Sequence, residues 1–246
     1  MRKKVAIVTG GAAGLGLAIT QKLIKENVTT IMIGRNEAAL QSTARELGAL
    51  CSYRVFDLAQ VAGIPNLVAD ILAEHKQVDI LINNAGINQK KPFLEVTDAD
   101  FYNIIQTNVL AVFAISREIS KSMVEAGSGS ILNISSMAAQ YGIPKVIAYT
   151  AAKSAIEGMT KAMAVELSPM GIRVNCIAPG FIKTAMSSKA LDNDPERKNK
   201  VLSRTPMGHL GLPEDVADAA YYLTSDGAKY ITGVIMPVDG GNSIGF

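Results

Sequence analysis

Val5-Ala6-Ile7-Val8-Thr9-Gly10-Gly11-Ala12-Ala13-Gly14-Leu15-Gly16 is an apolar run that breaks into a glycine-rich turn and then into helical periodicity. Four apolar residues without alternation suit a strand covered on both faces, as in a parallel sheet. Glycine in the turn permits positive φ and close backbone approach, and the amides opening the next helix point toward an anion such as a pyrophosphate. Any tight strand-to-helix turn could use glycine. The order strand, turn, helix makes this one a dinucleotide-site candidate, with TGxxxGxG a variant of the GxGxxG spacing.

Beyond this turn, short apolar runs alternate with longer amphipathic stretches. Strands are expected at about 4–9, 29–33, 52–56, 78–82, 130–134, 172–177 and 233–238. Helices are expected near 15–26, 37–47, 64–75, 98–125, 150–168 and 213–224. This alternation argues for an α/β fold: a Rossmann-type doubly wound sheet of about seven parallel strands with helices on both faces. No linker or low-complexity tract divides the chain, so residues 1–246 read as one dinucleotide-binding and catalytic domain. The connection from Ala178 to Pro213 departs from the rhythm, with a polar middle from Ser187 to Lys200. So long a connection is more often functional than idle, and a substrate lid is expected over about 183–212. Its charges equally suit the wet face of a short helix.

Lys plus Arg number 24 against 22 Asp plus Glu, a net charge of +2 that gives no reason to expect nucleic acid or an anionic membrane as partner. Cys51 and Cys176 stand far apart and read as buried free thiols of a reducing compartment. His75 and His209 neighbour no cysteine or second histidine, so no metal site is expected. His75 falls at a helix end, where solvated capping accounts for it; His209 has no evident function. The apolar run after Met1-Arg2-Lys3-Lys4 stops at Thr9-Gly10, short of the roughly 7–15 residues of a signal core. No apolar stretch of about 18 residues escapes a charge or turn. A soluble, cytoplasmic protein is the expectation.

The second strand ends in Gly34-Arg35. Dinucleotide folds place an acidic residue there for a ribose 2′-hydroxyl, or an Arg nearby for a 2′-phosphate. The acid is missing and Arg35 is in place, so NADP is favoured, with NAD possible. An ordinary solvated charge at a helix start is the plain alternative.

Tyr149 and Lys153 lie four apart, on one helix face. Reducing a carbonyl takes a hydride and a proton for the oxygen. A tyrosine can give that proton, but with an unperturbed pKa of about 10 it is a poor base in reverse unless an ammonium stabilises the phenolate. Ser136 can hold the substrate oxygen. Alone, a Tyr–Lys pair at this spacing is an ordinary surface pair; the combination carries the weight. The motifs run in order: TGGAAGLG at 9–16, Asp57 after the third strand, Asn83-Asn84-Ala85-Gly86 after the fourth, and Asn108 in a long helix. Ser136 follows the fifth strand, Tyr149-x-x-x-Lys153 begins 13 residues later, and Pro179-Gly180 comes with Thr184. This series resembles the short-chain dehydrogenases/reductases, over essentially the whole chain from Lys4 to Val238-Asp239-Gly240-Gly241.

The resemblance implies an NAD(P)-dependent oxidoreductase acting on CH–OH donors, with Asn108, Ser136, Tyr149 and Lys153 catalytic. It implies that Asn108 continues a proton path through water to Lys153, and that Lys153 touches the nicotinamide ribose. The cofactor residues it implies are Thr9, Gly10, Ala13, Gly14, Leu15, Gly16, Arg35, Asn84, Ala85, Gly86, Tyr149 and Lys153. Asp57 and Leu58 would face the adenine, and Pro179, Gly180, Ile182 and Thr184 the carboxamide and pyrophosphate. Asp57 could equally cap the next helix. Most relatives are homotetramers, built here from the helices near 98–125 and 150–168. In the second of these Ala151, Ala152, Ser154, Ala155 and Gly158 would allow close approach or pack inside.

Two branches of the family bear on the substrate. Those that reduce 3-oxoacyl groups on acyl carrier protein carry basic docking residues before the fifth and sixth strands. Here those places read Glu125-Ala126-Gly127-Ser128-Gly129 and Pro169-Met170-Gly171. Conversely, Lys90-Lys91 follows the cofactor loop, as in gluconate 5-dehydrogenase-like members, though two solvated lysines would read the same. A small polar sugar-acid or polyol substrate is therefore expected, with a 3-oxoacyl-(acyl-carrier-protein) reductase as the alternative. A non-catalytic cofactor-binding sensor or scaffold would leave a scar at Ser136, Tyr149 or Lys153, and all three are present. An epimerase or dehydratase would need a larger substrate domain.

Overall fold

The computed structural model of the protein describes residues 2–184 and 195–245. Strands β1 (Val5–Thr9), β2 (Thr29–Gly34), β3 (Cys51–Val55), β4 (Ile80–Asn83), β5 (Gly129–Ile134), β6 (Ile172–Pro179) and β7 (Ile235–Val238) form one sheet. Their order is β3-β2-β1-β4-β5-β6-β7, and every pairing is parallel. The helices are α1 (Gly14–Lys25), α2 (Glu37–Leu47), α3 (Ile64–His75), α4 (Asp98–Ile105), α5 (Ala111–Glu125), α6 (Ile147–Leu167), α7 (Pro195–Arg204) and α8 (Pro213–Thr224).

Alternation along each strand sends neighbouring side chains to opposite faces. Ile7, Leu81, Ile131 and Val174 pack with Ile64, Leu67 and Ile71 of α3 and Ile115 and Ile119 of α5. Val8, Ile82, Leu132 and Ile177 pack with Ile19 and Leu23 of α1 and Val216 and Leu223 of α8. All five residues of β1 are buried, which is why the run lacks a polar face. The order reverses between β1 and β4, and in such sheets ligands bind beyond the strands' carboxyl ends at that point.

Expected and observed strand ends differ by at most two residues, as at 78 against Ile80. Two helices differ more. Helix α6 begins at Ile147, so Tyr149 lies within its first turn. The stretch 98–125 is not one helix: α4 ends at Ile105, Gln106–Leu110 forms a wider π-turn, and α5 follows. The cause is local. The Asn108 side chain donates to the Ile87 carbonyl and accepts from the Ile87 amide, both at 2.8 Å, a tether that helical periodicity does not encode.

Cys51 and Cys176 are free and buried, and burial pushes their thiols up to about 11 and about 12. His75 closes α3 as expected, but its ring is half-buried against Glu74 and not solvated. In the expected lid, Ile182 bridges Gly211 in parallel, pinning the two ends of the excursion together, and α7 lies between them. Residues 185–194 of that stretch lie outside the described residues.

Candidate active site

The glycines of the first turn divide into two kinds. A Cβ on Gly16 would stand 2.1 Å from the Gly10 carbonyl oxygen and 2.6 Å from Asn84 Nδ2, so Gly16 lets the chain pack on itself. Gly10, at φ +67°, would meet Asn84 Nδ2 at 3.0 Å. Gly14 is exposed, holds φ +51°, and has nothing within 4 Å of its Cβ position. Ala13, at the N-cap of α1, is exposed and offers no capping side chain, and the first turn carries no acid. The turn therefore presents an open backbone cradle and uncapped amides, which fits a pyrophosphate. Leu15 leans on the core.

Thr9 and Asn84 hold this turn against the end of β4. The Thr9 hydroxyl donates to the Ile82 carbonyl and accepts from the amides of Asn84 and Ala85. Asn84 Nδ2 donates to the Thr9 carbonyl at 2.9 Å. Both side chains are occupied by the scaffold, so they shape the site more than they offer contacts.

Beyond β5 and on α6 lie the groups that can do chemistry. Ser136 Oγ accepts from the Ala138 amide at 3.1 Å, which leaves its own hydrogen to donate. Tyr149 is half-buried, and its hydroxyl bonds no other described residue. Lys153 is 5% exposed; its Nζ donates to the Ile134 carbonyl at 2.6 Å and sits 5.6 Å from the centre of the Tyr149 ring. A Cβ on Gly86 would approach Asn108 Oδ1 at 3.3 Å and Lys153 Nζ at 3.7 Å, so Gly86 joins this group. Both ends of the Asn108 amide hold Ile87, so its side chain is spent on shaping this turn, with one Nδ2 hydrogen and one Oδ1 lone pair left over.

The outer positions vary in what they offer. Arg35 is exposed at the end of β2. Asp57 Oδ1 accepts from the Ala59 amide, turning the chain after β3. The Leu58 side chain is buried in the core, leaving only its backbone for a ligand. Pro179 ends β6, and a Cβ on Gly180 would collide with Asp239 at 2.6 Å. Ile182 is buried and Thr184 half-buried at the start of the excursion. Lys91 is not a loose loop charge: its Nζ meets Asp100 Oδ2 at 2.8 Å. Lys91, then Gln89 and Thr97, hold the Asp100 carboxyl well below the usual carboxylate range.

Some residues that shape the site carried no motif. Ser135 Oγ donates to Glu157 Oε1 at 2.8 Å; the only hint was a carboxylate one turn past Lys153. Tyr141, five residues after Ser136, donates its hydroxyl to Asn242 Oδ1 at 2.8 Å and lies under the Arg204 guanidinium, 4.8 Å away. These contacts tie the loop after β5 to the end of α7 and to the C-terminal segment.

A sequence profile described as enoyl-(acyl carrier protein) reductase matches residues 10–243. A 3-oxoacyl-(acyl-carrier-protein) reductase of Chlamydia trachomatis is 37% identical over 242 residues, 97% of this chain and 96% of that protein. A 3alpha-hydroxysteroid dehydrogenase of Mediterraneibacter gnavus is 39% identical over 246 residues, 98% of this chain and 97% of that one. The crystal structure of a gluconate 5-dehydrogenase from Burkholderia cenocepacia, in complex with NADP and tartrate, superposes with a TM-score of 0.95 at 28% identity, covering 100% of this chain and 97% of that one.

Proposed function

The chain belongs to the short-chain dehydrogenase/reductase family of NAD(P)-dependent oxidoreductases, and on that premise we propose that it interconverts a small polar keto compound and its secondary alcohol with NADP(H). The whole chain serves as one cofactor-binding and catalytic domain. The observation that carries this reading is that Ser136, Tyr149 and Lys153 lie beyond β5, with Gly86 at the Lys153 ammonium, at the same carboxyl edge of the sheet where the open Gly14 turn follows β1. Gly14 and the first amides of α1 would hold the pyrophosphate, and Arg35 the 2′-phosphate. A nicotinamide so held supplies or accepts the hydride. Ser136 donates a hydrogen bond to the substrate oxygen, and the Tyr149 hydroxyl gives or takes its proton. The buried Lys153 ammonium favours negative charge on that oxygen, and the displaced backbone at Asn108 continues the proton path through water.

Arg35→Ala is expected to raise KM for NADPH about ten- to a hundredfold, the worth of a charge-assisted contact of roughly 1.5–3 kcal/mol. NADH kinetics should barely move. A wild-type enzyme that prefers NADH would remove the basis for assigning Arg35.

The absence of carrier-docking charges at Glu125–Gly129 and Pro169–Gly171 supports a sugar acid or polyol as substrate. Lys91, neutralised by Asp100, adds less to this than the sequence suggested. The kcat/KM for keto-gluconates should exceed that for a 3-oxoacyl thioester by about tenfold or more. The reverse order would favour the carrier-protein reductase reading, which the Chlamydia relative supports.

Exposed apolar side chains on α4, α6 and the π-turn to α5 stretch, among them Tyr102, Leu110, Phe113, Ile147 and Val165, support a homotetramer. Ser154 and Gly158 are exposed for close helix approach, whereas Ala152 packs inside. Light scattering at micromolar concentration should report four chains; a monomer would refute this assembly. No helix among the described residues is long and apolar enough to cross a membrane. The buried free thiols suit action in the reducing cytoplasm.

A further inference from the structure

We propose that Glu157 is a positioning residue for the proton-transfer group: through Ser135 it clamps the carboxyl end of β5 to α6. This rests on the catalytic reading of Ser136, Tyr149 and Lys153.

Ser135 is held from two sides. Its amide donates to the Ile177 carbonyl of β6 at 2.7 Å, and its hydroxyl faces α6. That hydroxyl has one hydrogen and two acceptors in reach, Glu157 Oε1 at 2.8 Å and the Lys153 carbonyl at 3.3 Å. The shorter, charge-assisted bond is the stronger. With the bond from Lys153 Nζ to the Ile134 carbonyl, residues 134–135 and the helix face 153–157 form one unit. Ser136 is the next residue along, so the distance between the substrate-oxygen donor and the Tyr149–Lys153 pair is set at this clamp.

Glu157 stands one turn from Lys153 on the same face, where opposite charges interact. Cys176 on β6 registers both: beyond the rise that burial causes, Glu157 raises its thiol and Lys153 lowers it. The other charged neighbour on the helix is Lys161, one turn on. Arg173 of β6 is turned to the carbonyls of Leu223 and Ser225. β5 and residues 106–110 bring no ionisable side chain. Helix α4 brings Asp98, Asp100 and Tyr102, with Asp100 held by Lys91.

The test compares Glu157→Gln, Glu157→Ala, Ser135→Ala and the Ser135→Ala/Glu157→Ala double variant. Gln keeps an acceptor for Ser135 but removes the negative charge. Glu157→Gln should therefore recover most of the kcat that Glu157→Ala loses. Glu157→Ala should lose about tenfold in kcat with little change in KM, as a small misplacement does. Ser135→Ala should lose a similar factor, and the double variant should lose no more than Glu157→Ala. A Glu157→Gln variant as slow as Glu157→Ala, wild-type kcat in Glu157→Ala, or additive losses in the double variant would overturn the proposal. Tyr149→Phe, run alongside, separates the two readings: if it keeps its turnover, the catalytic assignment itself is wrong.

Discussion

Tyr149→Phe is expected to lower kcat by roughly 10²–10⁴-fold while NADPH binds almost as in wild type. The substitution removes one oxygen from a half-buried ring whose hydroxyl bonds no other described residue. No scaffold contact is lost, so the fold and the distant glycine turn should be untouched. What disappears is the only group on that face of α6 able to give or take a proton at the substrate oxygen, since Lys153 Nζ is turned to the Ile134 carbonyl. Steady-state kinetics with a fluorescence titration of NADPH checks this. A variant that keeps more than about a hundredth of wild-type kcat would show that the proton moves elsewhere.

Gly16→Ala should have the largest effect on the cofactor and on stability together. Its Cβ would stand 2.1 Å from the Gly10 carbonyl oxygen and 2.6 Å from Asn84 Nδ2, and neither a backbone carbonyl nor an amide already bonded to Thr9 can yield cheaply. Overpacking of this kind costs roughly 1–3 kcal/mol or more. The first turn would be pushed off the end of β4, and the cradle at Gly14 would lose its shape. Gly14→Ala is the useful contrast. Its Cβ enters open space, so it carries only the left-handed φ penalty of roughly 1–2 kcal/mol. Thermal melts with and without NADPH should show Gly16→Ala less stable than Gly14→Ala and barely stabilised by the cofactor. Equal melts and equal cofactor response would show that the packing at Gly16 does not support the site.

Much of this could be read along the chain because the relevant physics is local. Burial on both faces makes Val5–Val8 of β1 and Ile31–Ile33 of β2 apolar without alternation, and the four-residue spacing of Tyr149 and Lys153 places them together on any helix. What stayed hidden depends on partners far away in sequence. The π-turn at Asn108 exists because its side chain reaches Ile87, which no pattern in residues 98–125 announces. Lys91 looked like a loose charge at the mouth of the site, but Asp100, itself part of the capping box of α4, takes it up. Leu58, expected toward the adenine, sends its side chain into the core, because the residue after Asp57 must cover β1 and α3. The clamp from Ser135 to Glu157 joins a strand end to a helix 22 residues on, a pairing that only the packed fold creates.

The central claim, hydride transfer between NADP(H) and a carbonyl carbon, is met most directly by following the hydrogen itself. NADPH labelled with deuterium at the reactive ring carbon is mixed with the purified protein and a keto-gluconate, and the alcohol is examined by mass spectrometry. The account predicts NADPH consumption matched by alcohol formed, the label on the new carbinol carbon, and loss of both in Tyr149→Phe. NADPH that binds but is consumed with no keto acid, ketose or 3-oxoacyl thioester, or an alcohol formed without the label, would contradict it.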